Sequence, residues 1–303
     1  MNTSLIIPTY NKSARLKFML KSLLLLEDRN SFEVIIVNDG STDSTELLLK
    51  QFLPEAGKED LNIKIINIEH SGRSVARNRG ADEAKGELLV FSDDDIILSP
   101  GFIKAHEQAH KDGSHNVVRG IIYDLPYLKF FKDPETGELF DSSMKSTRGL
   151  QQYLLGNDCI EPALKKIRSQ ARLIKFEKDI HQLYSITPEG HPLRWVGCTG
   201  GNISVEKKDF FHAGGFDSNL GKAWGCEDLE FGYRIKKSAG NIIMADNAEN
   251  FHISHFRVNA GTEHEQAMAY FFARHKDQSI NELGRYFEGS LSSLAEWETI
   301  MDK

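Results

Sequence analysis

Leu88-Leu89-Val90-Phe91-Ser92-Asp93-Asp94-Asp95 is an apolar run of strand type that ends in three consecutive carboxylates. Two like charges about 4 Å apart repel by ~1 kcal/mol in water and ~4 kcal/mol near a protein surface. A fold that gathers three of them where a buried strand ends has reason to hold a cation there. Hard divalent ions, kept by one or two carboxylates together with substrate phosphates, suit such a cluster. A solvated turn is the plainer reading of an Asp-rich stretch after a strand, so the flanking segments decide between them.

Upstream, Leu5-Ile6-Ile7 reads as a short buried strand closed by Pro8, and the helix after Asn11 carries Leu16, Met19, Leu20, Leu23 and Leu24 on one face. Val34-Ile35-Ile36-Val37 is a second apolar strand, followed by the turn Asn38-Asp39-Gly40 and a helix capped near Ser41. Ile63, Ile65, Ile66 and Ile68 mark a third strand, and a helix runs from Arg73 towards Lys85 and stops at Gly86. Downstream of the acids come a helix over 100–111 and a strand from Val117 to Tyr123. Unbroken apolar strands separated by helices imply an α/β fold with a mostly parallel sheet covered on both faces. Ligands of such sheets bind beyond the carboxyl ends of the strands. Asp39 and the Asp93–Asp95 cluster are therefore expected to share one crevice.

The bulk properties narrow the class. A chain of 303 residues, 40% hydrophobic and 27% charged, is that of an ordinary globular protein with ample core. Its net charge of −7, with no basic block to offset it, argues against nucleic acid as a partner. Cys159, Cys198 and Cys226 show neither paired nor metal-type spacing and fit a reducing compartment. The N-terminus has no signal-peptide pattern. No apolar stretch approaches the ~20 residues that span a bilayer. The expectation is a cytoplasmic protein without a transmembrane segment, for which peripheral membrane contact stays open.

Four motifs stand in order along this framework: Ile6-Ile7-Pro8-Thr9-Tyr10-Asn11, Val37-Asn38-Asp39-Gly40-Ser41-Thr42-Asp43, Ala76-Arg77-Asn78-Arg79-Gly80 and the aspartate cluster. Over about the first 125 residues the chain thereby resembles the GT-A glycosyltransferases of family 2. The resemblance implies a Rossmann-like nucleotide-binding fold in which Thr9 and Asp39 line the nucleoside pocket. It also implies an Asp-x-Asp pair at Asp93 and Asp95, with Asp93 for ribose and metal, Asp95 for metal, and Asp94 without a role. The chemistry is apt on its own terms, since a carboxylate can accept from a nucleobase N–H and a hydroxyl can bond from the opposite wall. Arg73 and Arg77, four residues apart on one helix face, are placed to approach a diphosphate, although a solvated helix face is an equal reading of them.

A second block follows. Gly200-Gly201-Asn202-Ile203-Ser204-Val205 leads into a helix carrying Phe210 and Phe211, and Gly214-Gly215-Phe216-Asp217 precedes Trp224-Gly225-Cys226-Glu227-Asp228. This block is similar to the C-terminal segments of bacterial chondroitin polymerases and β-1,4-galactosyltransferases. There the acidic pair faces the acceptor hydroxyl, with the aspartate as base, which implies Asp228 as base and Glu227 and Trp224 as acceptor contacts. The usual residue before the acids is Gly, where this chain has Cys226. Without that resemblance, Glu227 and Asp228 are acids favoured at a helix N-terminus. Related enzymes supply a histidine as a further metal ligand; His255 in His255-Phe256-Arg257 fits best, with His252 in reserve, and imidazole favours Mn²⁺ over Mg²⁺. His106, His110 and His115 read as structural.

The candidate donor-site residues are thus Pro8, Thr9, Tyr10, Asp39, Arg73, Arg77, Asp93, Gly201 and Trp224, the metal ligands Asp95, His255 and Asp93, and the catalytic pair Asp228 and Glu227. The division expected is a nucleotide-sugar-binding subdomain over 1–125, a helical insertion or lid over 126–193, an acceptor and catalytic subdomain over 194–260, and C-terminal helices over 261–303. The expected activity is inverting, Mn²⁺- or Mg²⁺-dependent transfer from a nucleotide-sugar, a UDP-sugar first among them, to a hydroxyl of a glycan or other acceptor. Inversion follows from the Glu-Asp pair, where retaining relatives look like Glu-Asn. The competing readings are a sugar-nucleotide-forming nucleotidyltransferase, which would carry a Gly-rich phosphate loop after the first strand, and a non-catalytic nucleotide-sugar-binding protein, which would have lost the acidic pair.

Overall fold

The computed structural model describes residues 2–111, 116–141, 149, 151–155, 160–222, 224–238, 240–257 and 259–301. His115 and Cys159 lie outside the described residues. Among the described residues ten strands appear in chain order: β1 Thr3–Thr9, β2 Phe32–Asp39, β3 Ile63–Ile68, β4 Leu88–Ser92, β5 Ile96–Leu98, β6 Asn116–Asp124, β7 Phe131–Asp133, β8 Glu138–Leu139, β9 Asn202–Glu206 and β10 Asn241–His252. Eight of them form one sheet in the order β3-β2-β1-β4-β9-β6-β10-β5, and β7 and β8 pair separately.

The half of the sheet nearest the N-terminus is parallel, β1 pairing with both β2 and β4 and β2 with β3. Alternation along each strand sends side chains to opposite faces. Leu5, Ile7, Val34, Ile36 and Val90 pack on one face with Leu16, Met19, Leu20 and Leu23 of the helix Ser13–Leu23. Ile6, Ile35, Val37, Leu89 and Phe91 pack on the other with Ala76 and Ala81 of the helix Arg73–Glu83 and with Phe210, Phe216 and Phe231. β1 continues through Pro8 to Thr9 rather than closing at the proline. Its pairing with β4 has ended at Ile6, so the missing N–H of Pro8 faces no ladder on that side. The helix expected near Ser41 begins at Thr45, because Asp43 accepts from the Thr45 N–H at 3.0 Å and starts it there.

The other half holds the elements that the apolar pattern did not reveal. Gly200-Gly201-Asn202-Ile203-Ser204-Val205 leads into the helix Lys207–His212 that carries Phe210 and Phe211, by way of β9, Asn202–Glu206, antiparallel to both β4 and β6. β10 runs parallel to β6, and the three-residue β5 lies antiparallel beside it. Pairing of β10 with β6 shifts between Met244 and Glu249. Gly120 faces that irregularity, where a Cβ would stand 2.1 Å from the Ala248 carbonyl and 2.3 Å from Asn202 Oδ1. Asn202 ties the three strands together, its Nδ2 donating to Ala248 O at 2.8 Å and to Ile121 O at 3.2 Å. His106 and His110 are buried against the same spot: His106 bonds Ser204 Oγ at 2.8 Å and Asn202 Oδ1 at 2.9 Å, and His110 bonds Ser204 Oγ at 2.9 Å.

The stretch 126–193 is not wholly helical: it contributes the β7–β8 ribbon as well as helices Ile160–Gln170 and Lys175–Ile186. The second of these helices is fastened to β6 by the buried Arg119–Glu177 ion pair at 2.8 Å. Three C-terminal helices follow β10, at Ala260–His275, Gln278–Phe287 and Leu294–Met301. They add Phe271, Leu283 and Trp297 to the core around Trp195. No helix among the described residues is long and apolar enough to cross a membrane.

Candidate active site

The carboxyl ends of β1, β2 and β4 open onto one cleft, lined by Pro8, Thr9, Tyr10, Lys12, Asp39, His70, Gly72, Arg73, Asp93, Asp94, Asp95, Trp224, Arg257 and Glu263 among others. Two loops of its rim are stitched by Asn11, which sits at φ 51°. Its Oδ1 accepts from the N–H groups of Thr42 at 2.7 Å and Asp43 at 3.2 Å, while its own N–H donates to Ser41 Oγ at 3.0 Å. Asp39, buried at the end of β2, accepts from the backbone N–H of Ser71 at 2.7 Å and of Gly72 at 2.9 Å, and contacts His70 Nδ1 at 2.9 Å. Gly72 at φ +98° lets this loop pass within reach of Lys222, whose N would stand 2.8 Å from any added Cβ. His70 in turn stacks on Tyr10, ring centroids 3.9 Å apart and planes 13° from parallel.

The three aspartates have separate surroundings. Asp93 pairs with Arg77 at 2.6 Å, and Gly201 packs against its carboxylate. Asp94 faces the N–H of Tyr10, at 3.4 Å; burial, with Asp95 beside it, raises its carboxyl above the usual range in spite of Lys12. Asp95 is held the other way: burial works against its charge, but Lys12 and His252 keep it well below that range.

Strand register assembles the cluster at Asp95. His252 at the end of β10 lies opposite Asp124 at the end of β6, and the N–H of Ile253 donates to the Asp95 carbonyl at 2.7 Å. Potential ligand atoms of Asp95, His252 and His255 fall within 4.8 Å of one another. The tautomers suit coordination. His255 Nδ1 faces the Phe256 carbonyl at 3.2 Å, which can only accept, so Nδ1 carries the hydrogen and the Nε2 lone pair accepts from Lys12 Nζ at 2.6 Å, with Asp95 Oδ2 3.1 Å away. His252 Nδ1 faces Asp124 Oδ1 at 2.7 Å, leaving Nε2 towards Asp95. A carboxylate behind a histidine is the arrangement that orients metal-binding imidazoles. Burial pushes His255 down to about 4, keeping it neutral at physiological pH. At His252 burial is outweighed by Asp95 and Asp124, which push it up to about 9, so a metal entering there would displace a proton. One carboxylate and two imidazoles fit a divalent ion of the Mn²⁺ type.

Residues 4–171 match the family described as glycosyl transferase family 2, which spans more than half of the chain. The chain belongs to glycosyl transferase family 2. Residues 181–257 match a second family, the N-terminal domain of galactosyltransferase. Among similar proteins are the uncharacterized glycosyltransferase YfnE of Bacillus subtilis, 27% identical over 84% of this chain and 65% of its own length, and the validoxylamine A glucosyltransferase of Streptomyces hygroscopicus subsp. jinggangensis, 29% identical over 82% and 54%. Chondroitin synthase of Escherichia coli is 26% identical over 82% of this chain and 34% of its own length. The chain thus spans between about one third and two thirds of these relatives. Of solved structures, the mannosyltransferase PcManGT of Pyrobaculum calidifontis superposes with a TM-score of 0.58, at 17% identity over 90% of this chain and 63% of that one. TarS 1–349 of S. aureus does so with a TM-score of 0.58, at 19% identity over 95% and 72%. The fold is GT-A.

In this family 2 chain the acidic pair begins the helix Glu227–Lys237, outside the lining of the cleft. Glu227 is buried between Arg73 and Arg77, at 3.0 Å from each. Burial opposes its charge, yet the two arginines hold it below the ordinary carboxylate range. Arg77, almost wholly buried, spends its guanidinium on Glu227 and Asp93 and does not reach the cleft; Arg73 lines it. Asp228 accepts from the N–H of Gly200 and of Leu229, both at 2.8 Å. Burial, and Glu227 next to it, raise the Asp228 carboxyl above its ordinary value. Cys226, standing where the family pattern has Gly, keeps a left-handed backbone at φ 65°. Trp224 lies beneath Arg257, whose guanidinium carbon is 5.4 Å from a ring centroid, and its N–H donates to Glu263 Oε2 at 2.9 Å.

Lys12, His70, Asp124 and Arg257 carry weight that the sequence reading did not assign to them. Asp124 had a visible signal, an acid ending an apolar strand in the manner of Asp39 and Asp93. His70 and Lys12 had none, because their partners lie 31, 83 and 243 residues away.

Proposed function

We propose that the chain moves a sugar from a nucleotide-sugar, a UDP-sugar first among them, to a hydroxyl of a glycan or glycoconjugate, with inversion at the anomeric carbon and with Mn²⁺ or Mg²⁺ at Asp95, His252 and His255. The observation that carries this reading is the placing of the Asp95–His252–His255 group beside the cleft that Thr9, Asp39, Asp93 and Trp224 line together. The related folds support it: PcManGT was solved with GDP-Man and Mn²⁺, TarS with UDP and with UDP-GlcNAc, and GalNAc-T7 with UDP, GalNAc and Mn²⁺.

In this reading, residues 1–125 hold the donor and 194–260 the acceptor. Tyr10 and His70 form an aromatic wall for the base, and Asp39 keeps lone-pair sites free for a base N–H beyond those the 70–72 loop uses. A divalent ion at the triad supplies charge neutralisation for the departing diphosphate. Between the two adjacent acids, opposite environments divide the work. Glu227, fixed by two arginines, is a weak base and anchors the helix terminus to the donor side. Asp228, with its affinity for a proton raised, takes the proton from the acceptor hydroxyl as that oxygen attacks. A single displacement from the face opposite the diphosphate inverts the configuration.

Asp228→Asn is expected to lower turnover by ~10²-fold or more while donor affinity stays near that of the parent. Parent-like turnover would remove the base assignment. Release of UDP rather than pyrophosphate distinguishes transfer from nucleotidyl chemistry, and thermal shift by UDP against GDP settles the donor nucleotide.

A further inference from the structure

The ammonium of Lys12 stands between two members of the Asp95 group, Asp95 and His255. Its Nζ is 2.6 Å from Asp95 Oδ2 and 2.6 Å from His255 Nε2. Those are two of the atoms a divalent ion would use, and all the candidate ligand atoms lie within 4.8 Å of one another. An ammonium and a metal ion cannot both occupy that space. Nor would two cations tolerate such proximity, since like charges at this range repel by several kcal/mol near a protein surface (~4 kcal/mol at 4 Å).

Lys12 begins the first helix of the fold at its N-cap position, its carbonyl accepting from the N–H groups of Arg15 and Leu16 at 2.8 Å. The backbone is therefore fixed, while the side chain remains partly exposed, about 22%. The residue also lines the donor cleft, the place where a diphosphate would lie.

We propose that Lys12 is a tethered cation that exchanges with the divalent ion, leaving Asp95 and His255 for the diphosphate when donor and metal enter together. This rests on the metal reading given above. In the absence of nucleotide the metal must displace an ion pair whose carboxylate is nearly buried. Once a nucleoside diphosphate is bound, the displaced ammonium has two phosphate groups within reach of its stem. The two ligands are then coupled through one side chain, each raising the affinity for the other by the same factor. Free metal alone occupies the site weakly, and the loaded site carries three positive charges against the diphosphate, two from the ion and one from Lys12.

The test is Mn²⁺ affinity, measured by titration of the Mn²⁺ electron paramagnetic resonance signal on the full chain with and without UDP. For the parent protein UDP is expected to tighten Mn²⁺ binding at least tenfold. Lys12→Met is expected to tighten Mn²⁺ binding without UDP by about tenfold, and to reduce the further gain that UDP gives. Lys12→Gln, nearly isosteric and polar, serves as the second variant should the methionine perturb folding. A side chain with a merely structural role would loosen the site on removal, not tighten it. Unchanged or weaker Mn²⁺ binding in both variants, with the parent still binding Mn²⁺ in the presence of UDP, overturns the exchange alone. Failure of parent and variants alike to bind Mn²⁺ with UDP present removes the metal reading and the exchange with it.

Discussion

Arg77 is the residue on which the two halves of the site meet. One nitrogen pairs with Asp93 at the end of β4, another with Glu227 at the start of a helix 150 residues later, and the side chain is almost completely buried. Removing one partner of a buried pair strands the other charge, at a typical cost of 3–5 kcal/mol. Because Asp93 still answers Arg77, Glu227→Gln is expected to destabilise by about 3 kcal/mol, read as a fall in the midpoint of denaturant unfolding. The sign of the pH effect follows from Glu227 being held below its ordinary range. Its contribution is full at neutral pH and is lost as pH falls past the ordinary carboxylate range towards the depressed value, and Glu227→Gln should flatten that part of the stability curve. Asp228 shifts the opposite way, so the acid limb of kcat/KM should lie above the ordinary carboxylate range, and a limb within that range would count against it as the base. At this scale the acids were legible in the sequence because carboxylates ending apolar strands are conspicuous. Their partners were not: Lys12, His70 and the linkage through Arg77 are created by tertiary folding, over separations that no local pattern records.

Among the elements, the parallel half of the sheet was legible, and of the other half only β6. Continuous runs such as Val34-Ile35-Ile36-Val37 can hardly be anything but buried strands. β10 conceals itself: Asn241-Ile242-Ile243-Met244 is followed by Ala245-Asp246-Asn247-Ala248-Glu249-Asn250, mostly polar, and the strand bulges against β6 between Met244 and Glu249. β9 is preceded by two glycines, and β5 is only three residues long. Yet β10, between β6 and β5, places His252, since the register His252↔Asp124 on one side and His252↔Ile96 on the other sets it beside Asp95. Gly120 permits the bulge. Gly120→Ala would drive a methyl into Asn202 and the Ala248 carbonyl, and is expected to cost about 1–3 kcal/mol in chemical denaturation. It should also weaken Mn²⁺ binding, because the shift is carried along β10 to His252. Parent-like stability would mean that the bulge relaxes at no cost.

At the scale of the whole molecule the GT-A fold was readable over its N-terminal half from motif order, whereas part of the core is built from helices beyond both family matches. Those helices pack Phe271 and Trp297 against Trp195 and bring Glu263 to the backbone of Trp224, so the C-terminal stretch positions one wall of the cleft. Its apolar spacing made helices foreseeable, but their number and docking depend on contacts with a core distant in sequence. The chain covers only part of its longer relatives, and acceptor and linkage belong to experiment. The most direct measurement is UDP release from UDP-sugars, with a glycoside acceptor panel, before and after removal of divalent ions by EDTA and again after Mn²⁺ is restored. Metal-dependent transfer requires turnover to vanish with EDTA and to return with Mn²⁺ in the parent chain, and not to return in Asp95→Ala. Full turnover in EDTA, or an Asp95→Ala variant that is active and indifferent to Mn²⁺, would contradict it.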